Sequence, residues 1–339
     1  VSIIFKIDFK RRTNLIFIII KNTEQRIFNM INKLKDLKIG LVLAGGGAKG
    51  AYEAGVFKAL WELDLIDQID VVSGTSVGAV NALLVAMNDR SVTKETWSHL
   101  SYSKLITMQE NTRKLRTPEL LDRFKRVNND ESSIIEELKS SDIGLLSQSG
   151  VKHFIEEFVD MNLLKSSSKS IYACAYDIDD ERPVYFKLND YNKEEMINIV
   201  LASCAIPYIF KPIVINGKRY ADGGIKNPAY SKNNTDNVPI YPLQNHDLNL
   251  IIVTHLSYTT KVESNIGGIP VINIYPSTSL ELINGAGSLK ITKNSLEKHI
   301  DIGYRDAMVI LAPIVIKILQ GKSFDDLNKK LDEKTAVSD

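Results

Sequence analysis

The chain has 339 residues, of which 44% are hydrophobic and 24% are charged, and its formal net charge at pH 7 is +1. This is the composition of one large or two small globular domains, so it excludes a mainly disordered, collagen-like or low-complexity chain. The nearly balanced charge gives no indication of a nucleic-acid partner. The two cysteines, Cys174 and Cys204, are too few for a disulfide framework and lack metal-site spacing, and their apolar surroundings predict buried thiols.

Residues 1–36 precede the first predicted strand and mix short apolar runs with charged residues. One such run, Leu15–Ile20, is too short for a membrane span of about 20 residues and for the apolar core of a signal peptide. We hypothesise that the working protein starts near Met30 and that residues 1–29 are a mis-assigned extension, with a weak membrane-surface anchor as the alternative. These features predict a cytoplasmic or peripheral membrane location, without a signal peptide or transmembrane helix.

Two strand–turn–helix units follow each other closely in the sequence. In chain order they comprise the strand Ile39–Ala44, the turn Gly45–Gly50, the helix Ala51–Leu63, the strand Val71–Ser73, the turn Gly74–Gly78 and the helix Val77–Met87. The strands are short apolar runs, and the first helix has its apolar residues on one face. This alternation predicts an α/β fold with parallel strands.

Residues 88–150 are polar and charged, which predicts an inserted helical region or lid with helix-like stretches at Pro118–Arg126 and Glu131–Lys139. Basic residues concentrate between Arg113 and Arg126. We interpret them as a solvated helix face, with contact to anionic lipid as the alternative.

Regular structure is predicted again beyond residue 150. Asn216-Gly217 predicts a hairpin turn, and residues 231–249, rich in Asn and Pro, are predicted to form a loop. The predicted elements are strands at Ile171–Tyr176, Val184–Leu188, Ile213–Ile215, Arg219–Ala221, Leu250–Leu256 and Val271–Tyr275, and helices at Lys193–Cys204 and Ile302–Leu319, the last interrupted by Pro313.

Ser76 lies in the sequence Gly74-Thr75-Ser76-Val77-Gly78, between a predicted strand and an apolar helix. A serine in such a sharp turn directs its hydroxyl away from the sheet, and flanking glycines avoid collisions within the bend. The positive end of the following helix dipole lies near the oxygen. The pattern predicts a nucleophile, with a helix N-cap serine as the alternative.

Gly45–Gly50 fits the pattern G-x-G-x-x-G between a strand and a helix, so a dinucleotide site has to be considered. That site needs an acidic residue at the carboxyl end of the next strand, whereas Asp64, Asp67 and Asp70 all precede that strand. We therefore interpret the loop as an oxyanion hole, because its glycines and the helix N-terminus leave backbone N–H groups free to stabilise a negative oxygen. Lys49 would add a positive charge there, unless it is simply exposed.

Asp222-Gly223-Gly224 follows a predicted strand and is the only Asp-Gly pair in the chain. A serine hydroxyl needs a base to accept its proton, and Asp222 is the candidate. We expect the small glycines to let this carboxylate approach Ser76. A simple turn is the alternative for an isolated Asp-Gly pair, but the order after the two preceding motifs favours a catalytic role. The pKa of a free aspartate is near 3.9, and burial would raise it.

Together, the motifs Gly45–Gly50, Gly74–Gly78 and Asp222–Gly224 resemble the patatin-like phospholipase family. The resemblance implies a three-layer α/β/α sandwich around a mostly parallel central sheet, with a helical insertion. It also implies hydrolysis of lipid acyl esters, of the phospholipase A or lysophospholipase type, through a Ser–Asp dyad and without a metal or other cofactor. By motif position, Ser76 would be the nucleophile and Asp222 the base.

The same resemblance assigns the oxyanion hole to Gly45, Gly46 and Gly47. The residues that support the motifs are Lys49, Gly50, Gly74, Gly78, Gly223 and Gly224. Two further stretches similar to the family are Ala202–Pro207, with Phe210 and Pro212 after it, and Gly303-Tyr304-Arg305-Asp306. Residues 37–320 therefore form the predicted hydrolase domain, interrupted by residues 88–150, and residues 321–339 form a C-terminal tail.

A Ser-His-Asp hydrolase is the nearest alternative, because Ser76, Asp222 and a later histidine occur in the chain order of α/β-hydrolases. However, the glycine loop directly follows the first core strand, whereas an α/β-hydrolase has more strands before its nucleophile. No histidine lies in an obvious catalytic loop. The histidines are His99, His153, His246, His255 and His299.

A non-catalytic lipid-binding or regulatory module is the second alternative. The intact serine, aspartate and glycine motifs argue against it. The expected partner is a lipid acyl-ester substrate, with transient contact to a membrane surface and no nucleic acid.

Overall fold

In a computed structural model of the protein, the described residues are 32–99, 107–108, 146–207, 209–226, 231, 234–258, 260–280 and 293–321. Several predictions fall outside these residues. They are the N-terminal segment 1–29 with Met30, the helical stretches Pro118–Arg126 and Glu131–Lys139 with their basic residues, and the tail beyond Gly321.

The strands are β1 (Ile39–Leu43), β2 (Ile69–Thr75), β3 (Thr107–Met108), β4 (Leu146–Ser147), β5 (Ser170–Asp177), β6 (Arg182–Lys187), β7 (Ile213–Ile215), β8 (Lys218–Asp222), β9 (Leu250–Thr254), β10 (Asn265–Ile266) and β11 (Ile269–Ile274). The helices are α1 (Ala51–Glu62), α2 (Val77–Met87), α3 (Arg90–His99), α4 (Ser149–Phe158), α5 (Met161–Ser166), α6 (Lys193–Ser203) and α7 (Lys293–Leu319). Among the described helices, none combines the length and the apolar character needed to cross a bilayer.

Within the described residues, nine strands form one sheet in the order β10-β11-β9-β1-β2-β5-β8-β7, with β6 paired to β5. The five strands from β11 to β5 run parallel to one another, whereas β6, β7, β8 and β10 are antiparallel to the strands they pair with. β1 and β9 are buried along their whole length, so both faces of the sheet centre are covered. The predicted α/β fold with a mostly parallel central sheet is confirmed.

The parallel pairing of β1 and β2 brings the two glycine-rich turns side by side. Leu43, at the end of β1, pairs with Gly74 near the end of β2. The glycine loop begins just after β1, and Ser76 follows β2 directly. Because the carboxyl ends of parallel strands meet at one edge of a sheet, both turns lie at the same edge.

The predicted hairpin between β7 and β8 is confirmed, since Ile215 pairs with Lys218 and both Asn216 and Gly217 have positive φ. The prediction for the last helix is wrong in two respects. α7 begins at Lys293 rather than at Ile302, and it continues through Pro313.

Two physical reasons explain the extent of α7. Leu296 and His299 extend the buried face of the helix toward its N-terminus. Proline removes a hydrogen bond to the carbonyl four residues earlier. Val309 and Pro313 are both exposed, so this carbonyl is accessible to water.

α7 packs across α1 at two glycines that leave no room for side chains. A Cβ on Gly55 would lie 2.0 Å from a backbone oxygen of α7, and a Cβ on Gly303 would lie 2.0 Å from the carbonyl oxygen of Tyr52. The Asp306 carboxylate accepts hydrogen bonds from the Tyr52 hydroxyl at 3.1 Å and from a backbone N–H of the preceding loop at 2.8 Å. The motif Gly303–Asp306 therefore fixes α7 against the helix that follows the glycine loop.

Candidate active site

Ser76 forms the junction between β2 and α2 in a strained backbone conformation. Its φ is 56° and its ψ is −125°, a region that residues with side chains rarely occupy. A Cβ on Gly74 would lie 2.1 Å from the carbonyl oxygen of Gly78, and a Cβ on Gly78 would lie 2.3 Å from that of Leu43. The close packing of this turn therefore requires both glycines, in agreement with the expected sharp bend.

Asp222 is the last residue of β8 and lies beside Ser76. β8 pairs Asp222 with Ala175 of β5, and β2 pairs Thr75 with the neighbouring Cys174. The structure thus brings together the two residues that the sequence motifs single out as nucleophile and base.

The environment of Asp222 changes its acidity. Burial raises the pKa of its carboxyl from 3.8 to about 6, because the charged form loses hydration, while the neighbouring Ser76 side chain acts in the opposite direction. The Gly224 N–H donates to Oδ1 at 2.9 Å. The other oxygen, Oδ2, is buried and has no partner at standard hydrogen-bond geometry among the described residues. A carboxylate with a free oxygen beside a serine hydroxyl is suited to accept the hydroxyl proton.

The glycine loop lies against Ser76. A Cβ on Gly45 would lie 3.2 Å from Cβ of Ser76, and Gly47 has a φ of 56°, which favours glycine. The N–H of Gly45 donates to the Asn237 carbonyl at 3.1 Å, whereas the N–H groups of Gly46 and Gly47 make no hydrogen bond within the part of the chain that the structure describes. Gly45 therefore anchors the loop rather than offering a free donor, and Gly46 and Gly47 are left as candidates for the predicted oxyanion hole.

The two glycines after the aspartate make room for neighbours other than Ser76. A Cβ on Gly223 would lie 2.7 Å from the carbonyl oxygen of Cys174, and a Cβ on Gly224 would lie 2.0 Å from Oδ1 of Asn237. The expectation that these glycines let the Asp222 carboxylate approach Ser76 stays a prediction. Their tight contacts are with β5 and with the loop that carries Asn237.

Asn237 connects the glycine loop to the aspartate turn, although it belongs to none of the sequence motifs. Its Nδ2 donates to the Gly45 carbonyl at 3.1 Å, and its own carbonyl accepts from the Gly45 N–H at the same distance. Its Oδ1 occupies the space beside Gly224. In the sequence it is one of many polar residues in a predicted loop, and such composition carries no signal of a specific contact.

Ser203, the last residue of α6, also contacts the serine turn. Its Oγ accepts from the Ser76 N–H at 2.8 Å and donates to a carbonyl of β5 at 2.6 Å. The carbonyl of Ala205, two residues further on, accepts from the Asp222 N–H at 2.9 Å. The stretch Ala202–Pro207, noted for its resemblance to the family, therefore contacts the backbone of both site residues. The sequence pattern gave no role to Ser203.

Buried side chains support the glycine loop from behind. A Cβ on Gly50 would lie 2.4 Å from the Val77 side chain, so the loop packs on the start of α2. Lys49 is only 7% exposed, which excludes the alternative that it is simply a surface residue. The Glu53 carboxyl of α1 accepts from Asn81 of α2 at 2.7 Å, and burial raises its pKa well above the usual value.

The three histidines considered for a triad contact other groups. The ring of His246 is hydrogen bonded with the Tyr172 hydroxyl at 3.1 Å, and that of His255 with Asn273 at 2.8 Å. The ring of His299 lies near the backbone of Ala48 and Leu280, but its buried Nδ1 has no hydrogen-bond partner among the described residues. Burial lowers the pKa of all three histidines. These contacts give no support to a histidine as the partner of Ser76.

Cys174 and Cys204 are free and buried, as predicted, and both adjoin the site. Burial raises the pKa of both thiols, and the Asp222 carboxylate adds to the increase. The Ser76 side chain lies near Cys204 and acts in the opposite direction on the pKa of that thiol. Both thiols therefore remain protonated at neutral pH and pack around the serine without acting as nucleophiles.

Comparisons with known proteins identify the family to which the chain belongs. The sequence profile of the family described as patatin-like phospholipase matches residues 41–234, more than half of the chain. The uncharacterized protein YjjU of Escherichia coli is 28% identical over 192 residues, which cover 56% of this chain and 46% of that protein. Lysophospholipase nte1 of Aspergillus terreus is 46% identical over 57 residues, which cover 17% of this chain and 4% of that protein. The chain thus spans less than half the length of these curated relatives.

Two solved structures are similar at low sequence identity. VipD from Legionella pneumophila has 17% identity and a TM-score of 0.46, with 82% of this chain and 67% of that chain covered. Human GIVD cytosolic phospholipase A2, in complex with methyl gamma-linolenyl fluorophosphonate, has 10% identity and a TM-score of 0.46, with 86% of this chain and 61% of that chain covered. The profile match over residues 41–234 is the decisive comparison, and by it the chain belongs to the patatin-like phospholipase family.

Proposed function

We propose that the protein hydrolyses lipid acyl esters, with Ser76 as the nucleophile and Asp222 as its base. The observation that carries this proposal is the contact between the Ser76 side chain and the buried Asp222 carboxyl. Membership of the patatin-like phospholipase family, together with a relative named as a lysophospholipase, supports a lipid ester as the substrate. Within this class, cleavage of the phospholipase A or lysophospholipase type is proposed.

The reaction proceeds in two steps. In the first, Asp222 accepts the proton of Ser76 while Ser76 Oγ bonds to the ester carbonyl carbon, and the alcohol leaves with that proton. In the second, Asp222 accepts a proton from water, which attacks the acyl carbon. The Ser76 oxygen leaves, regains the proton and releases the fatty acid. A pKa of about 6 leaves Asp222 ionised at neutral pH while making it a stronger base than a free aspartate.

The negative oxygen that forms in each step would be stabilised by the backbone N–H groups of Gly46 and Gly47. Neither group is engaged in a hydrogen bond among the described residues, and their loop lies against Ser76. One such donor contributes about 3 kcal/mol to catalysis. Gly45 would keep the loop in position through its hydrogen bonds with Asn237.

A dyad is favoured over a Ser-His-Asp triad by the contacts of the histidines. His246 and His255 are hydrogen bonded with Tyr172 and Asn273, and the groups that act on His299 are backbone groups of Ala48 and Leu280 rather than the serine or the aspartate. We also propose that lipid substrates are reached through transient contact with a membrane surface, consistent with the phospholipase family.

The test combines labelling by a fluorophosphonate probe with hydrolysis of a panel of acyl esters that differ in chain length and headgroup. The wild type should be labelled and active, S76A should lose both properties, and D222A should lose at least about 1,000-fold in turnover. The matched control is S73A, because Ser73 is a buried serine of β2 whose hydroxyl has no hydrogen-bond partner among the described residues. S73A should behave like the wild type.

Two results would contradict the proposal. A folded wild type that is neither labelled nor active on any ester would favour a non-catalytic lipid-binding module. A D222A variant with normal turnover, together with an inactive variant of one histidine, would favour the triad.

A further inference from the structure

We infer that Ser203 is a positioning residue, whose hydroxyl holds the strained backbone of Ser76 in the orientation that presents the Ser76 hydroxyl to Asp222. The inference rests on the proposed function, because it concerns the geometry of the same pair of residues. It arises from a buried hydrogen-bond relay that joins α6, the serine turn and β5.

The backbone N–H of Ser76 needs an acceptor that regular structure does not supply. Ser76 is the N-cap residue of α2, so its N–H precedes the hydrogen-bond pattern of the helix, and β2 ends one residue earlier at Thr75. Ser76 is only 7% exposed, so water is largely excluded. An unpaired buried N–H destabilises the folded state, and the Oγ of Ser203 at 2.8 Å removes this penalty.

The hydroxyl of Ser203 has a defined direction. It donates its proton to the Cys174 carbonyl at 2.6 Å, so its lone pairs are left to accept from the Ser76 N–H. Cys174 is the residue of β5 that pairs with Thr75 of β2. Ser203 is therefore tied to both strands at the point where the serine turn begins.

The segment that carries Ser203 is itself held at both ends. α6 starts with a capping box between Asn192 and Glu195, and its C-cap residue is Cys204, whose N–H donates to carbonyls of the last turn. The Ala205 carbonyl accepts from the Asp222 N–H at 2.9 Å. One short segment thus contacts the nucleophile through the Ser203 side chain and the base through the backbone, which sets the separation between them.

Removal of the Ser203 hydroxyl should let the Ser76 backbone relax from its strained φ of 56°. A displacement of about 1 Å at a reacting atom can cost about 100-fold in rate. We expect S203A to lower kcat by about 10- to 100-fold, with KM within about twofold, because Ser203 is fully buried and cannot contact substrate. The pH dependence of kcat should stay that of the wild type, because the hydroxyl of Ser203 does not contact the Asp222 carboxyl.

The experiment compares wild type, S203A, S203C, S203T and the control S73A in esterase turnover, fluorophosphonate labelling rate and pH profile, each corrected for the folded fraction measured by circular dichroism. S203C is nearly isosteric with serine but accepts hydrogen bonds weakly, so it tests the contact even where S203A fails to fold. S203A and S203C should lose kcat and label slowly. S203T keeps the hydroxyl and should recover most of the turnover.

The inference is overturned if folded S203A or S203C turns over like S73A, or if folded S203T is as slow as S203C. An equal loss with a shifted pH profile would also overturn it, because Ser203 would then act through Asp222. A wild type without labelling or turnover is a separate outcome that contradicts the proposed function itself.

Discussion

Thr75 and Asp222 are the last residues of two strands, β2 and β8, that run toward each other along one edge of β5. Thr75 pairs with Cys174 and Asp222 pairs with Ala175, the next residue of β5, while β6 occupies the opposite edge. Because β2 is parallel and β8 antiparallel to β5, their carboxyl ends meet. The register of the sheet therefore determines where Ser76 lies relative to Asp222, and the pair depends on rigid strands rather than on a loop.

The first prediction concerns the pH dependence of ester hydrolysis. Burial raises the pKa of Asp222 to about 6, and the residue can act as a base only when it is ionised. The value of kcat/KM should therefore fall about tenfold for each pH unit below about 6 and stay level from there to about pH 8. The measurement is a pH–rate profile with a soluble acyl ester. An acid limb centred near pH 4 would contradict it, since this is the value for an exposed aspartate.

The second prediction concerns stability, since a buried carboxylate that serves catalysis destabilises the fold. The pKa of Asp222 is about 6 in the folded state, compared with 3.8 for an aspartate of the unfolded chain. The folded state therefore binds the proton more tightly, and stability is lost as pH rises from about 4 through 6, by up to about 3 kcal/mol. D222N should unfold at a higher temperature than the wild type at pH 7.5. This difference should vanish below about pH 4.

A matched control for this prediction is D179N. Asp179 is a surface carboxylate whose pKa is lowered by hydrogen bonds from Arg219. A carboxyl whose pKa is lowered on folding stabilises the folded state at pH values above its pKa in the unfolded chain. D179N should therefore be slightly less stable than the wild type at pH 7.5, whereas D222N should be more stable. Unfolding curves of the three proteins at pH 4 and 7.5 provide the comparison. If D222N is less stable than the wild type at pH 7.5, the buried Asp222 carboxylate does not destabilise the folded state.

Local patterns in the sequence predicted much of this site. The units around Gly45–Gly50 and Gly74–Gly78 are short segments in which turn, strand and helix are specified by neighbouring residues, and both are confirmed as structural elements. The hydrogen bonds of Ser203 with Ser76 and of Asn237 with Gly45 join residues 127 and 192 positions apart. Such contacts depend on the order of strands in the sheet, which hydrophobic periodicity does not encode. Local sequence patterns therefore do not indicate supporting residues such as Ser203 and Asn237.

The third prediction concerns Asn237, which joins the glycine loop to the aspartate turn. N237A removes the side-chain hydrogen bond to the Gly45 carbonyl and keeps the backbone one. Because the loop loses one of its two links to Asn237, the N–H groups of Gly46 and Gly47 should be held less firmly. We expect kcat to fall by about tenfold, within the range for a weakened oxyanion donor, with an unchanged pH profile.

The control for N237A is N234A, in the same loop. Asn234 accepts from the Tyr176 hydroxyl at 2.8 Å and donates to the Glu181 carbonyl, and neither partner belongs to the glycine loop. N234A should therefore retain the turnover of the wild type. Equal turnover of N237A and N234A would show that the Asn237 side chain is not needed to hold the loop.

The fourth prediction separates two residues of the motif Gly303–Asp306. A side chain at Gly303 would collide with the backbone of Tyr52, so G303A should force α7 away from α1 and lower the free energy of unfolding by about 3 kcal/mol. Tyr304 donates to the partly exposed Glu62 at 2.6 Å, and Y304F should cost about 1 kcal/mol or less. Chemical unfolding of both variants measures the difference. Since α1 begins where the glycine loop ends, G303A should also reduce kcat, whereas Y304F should not. Equal stability of the two variants would contradict the explanation that position 303 needs glycine because α7 and α1 approach each other closely there.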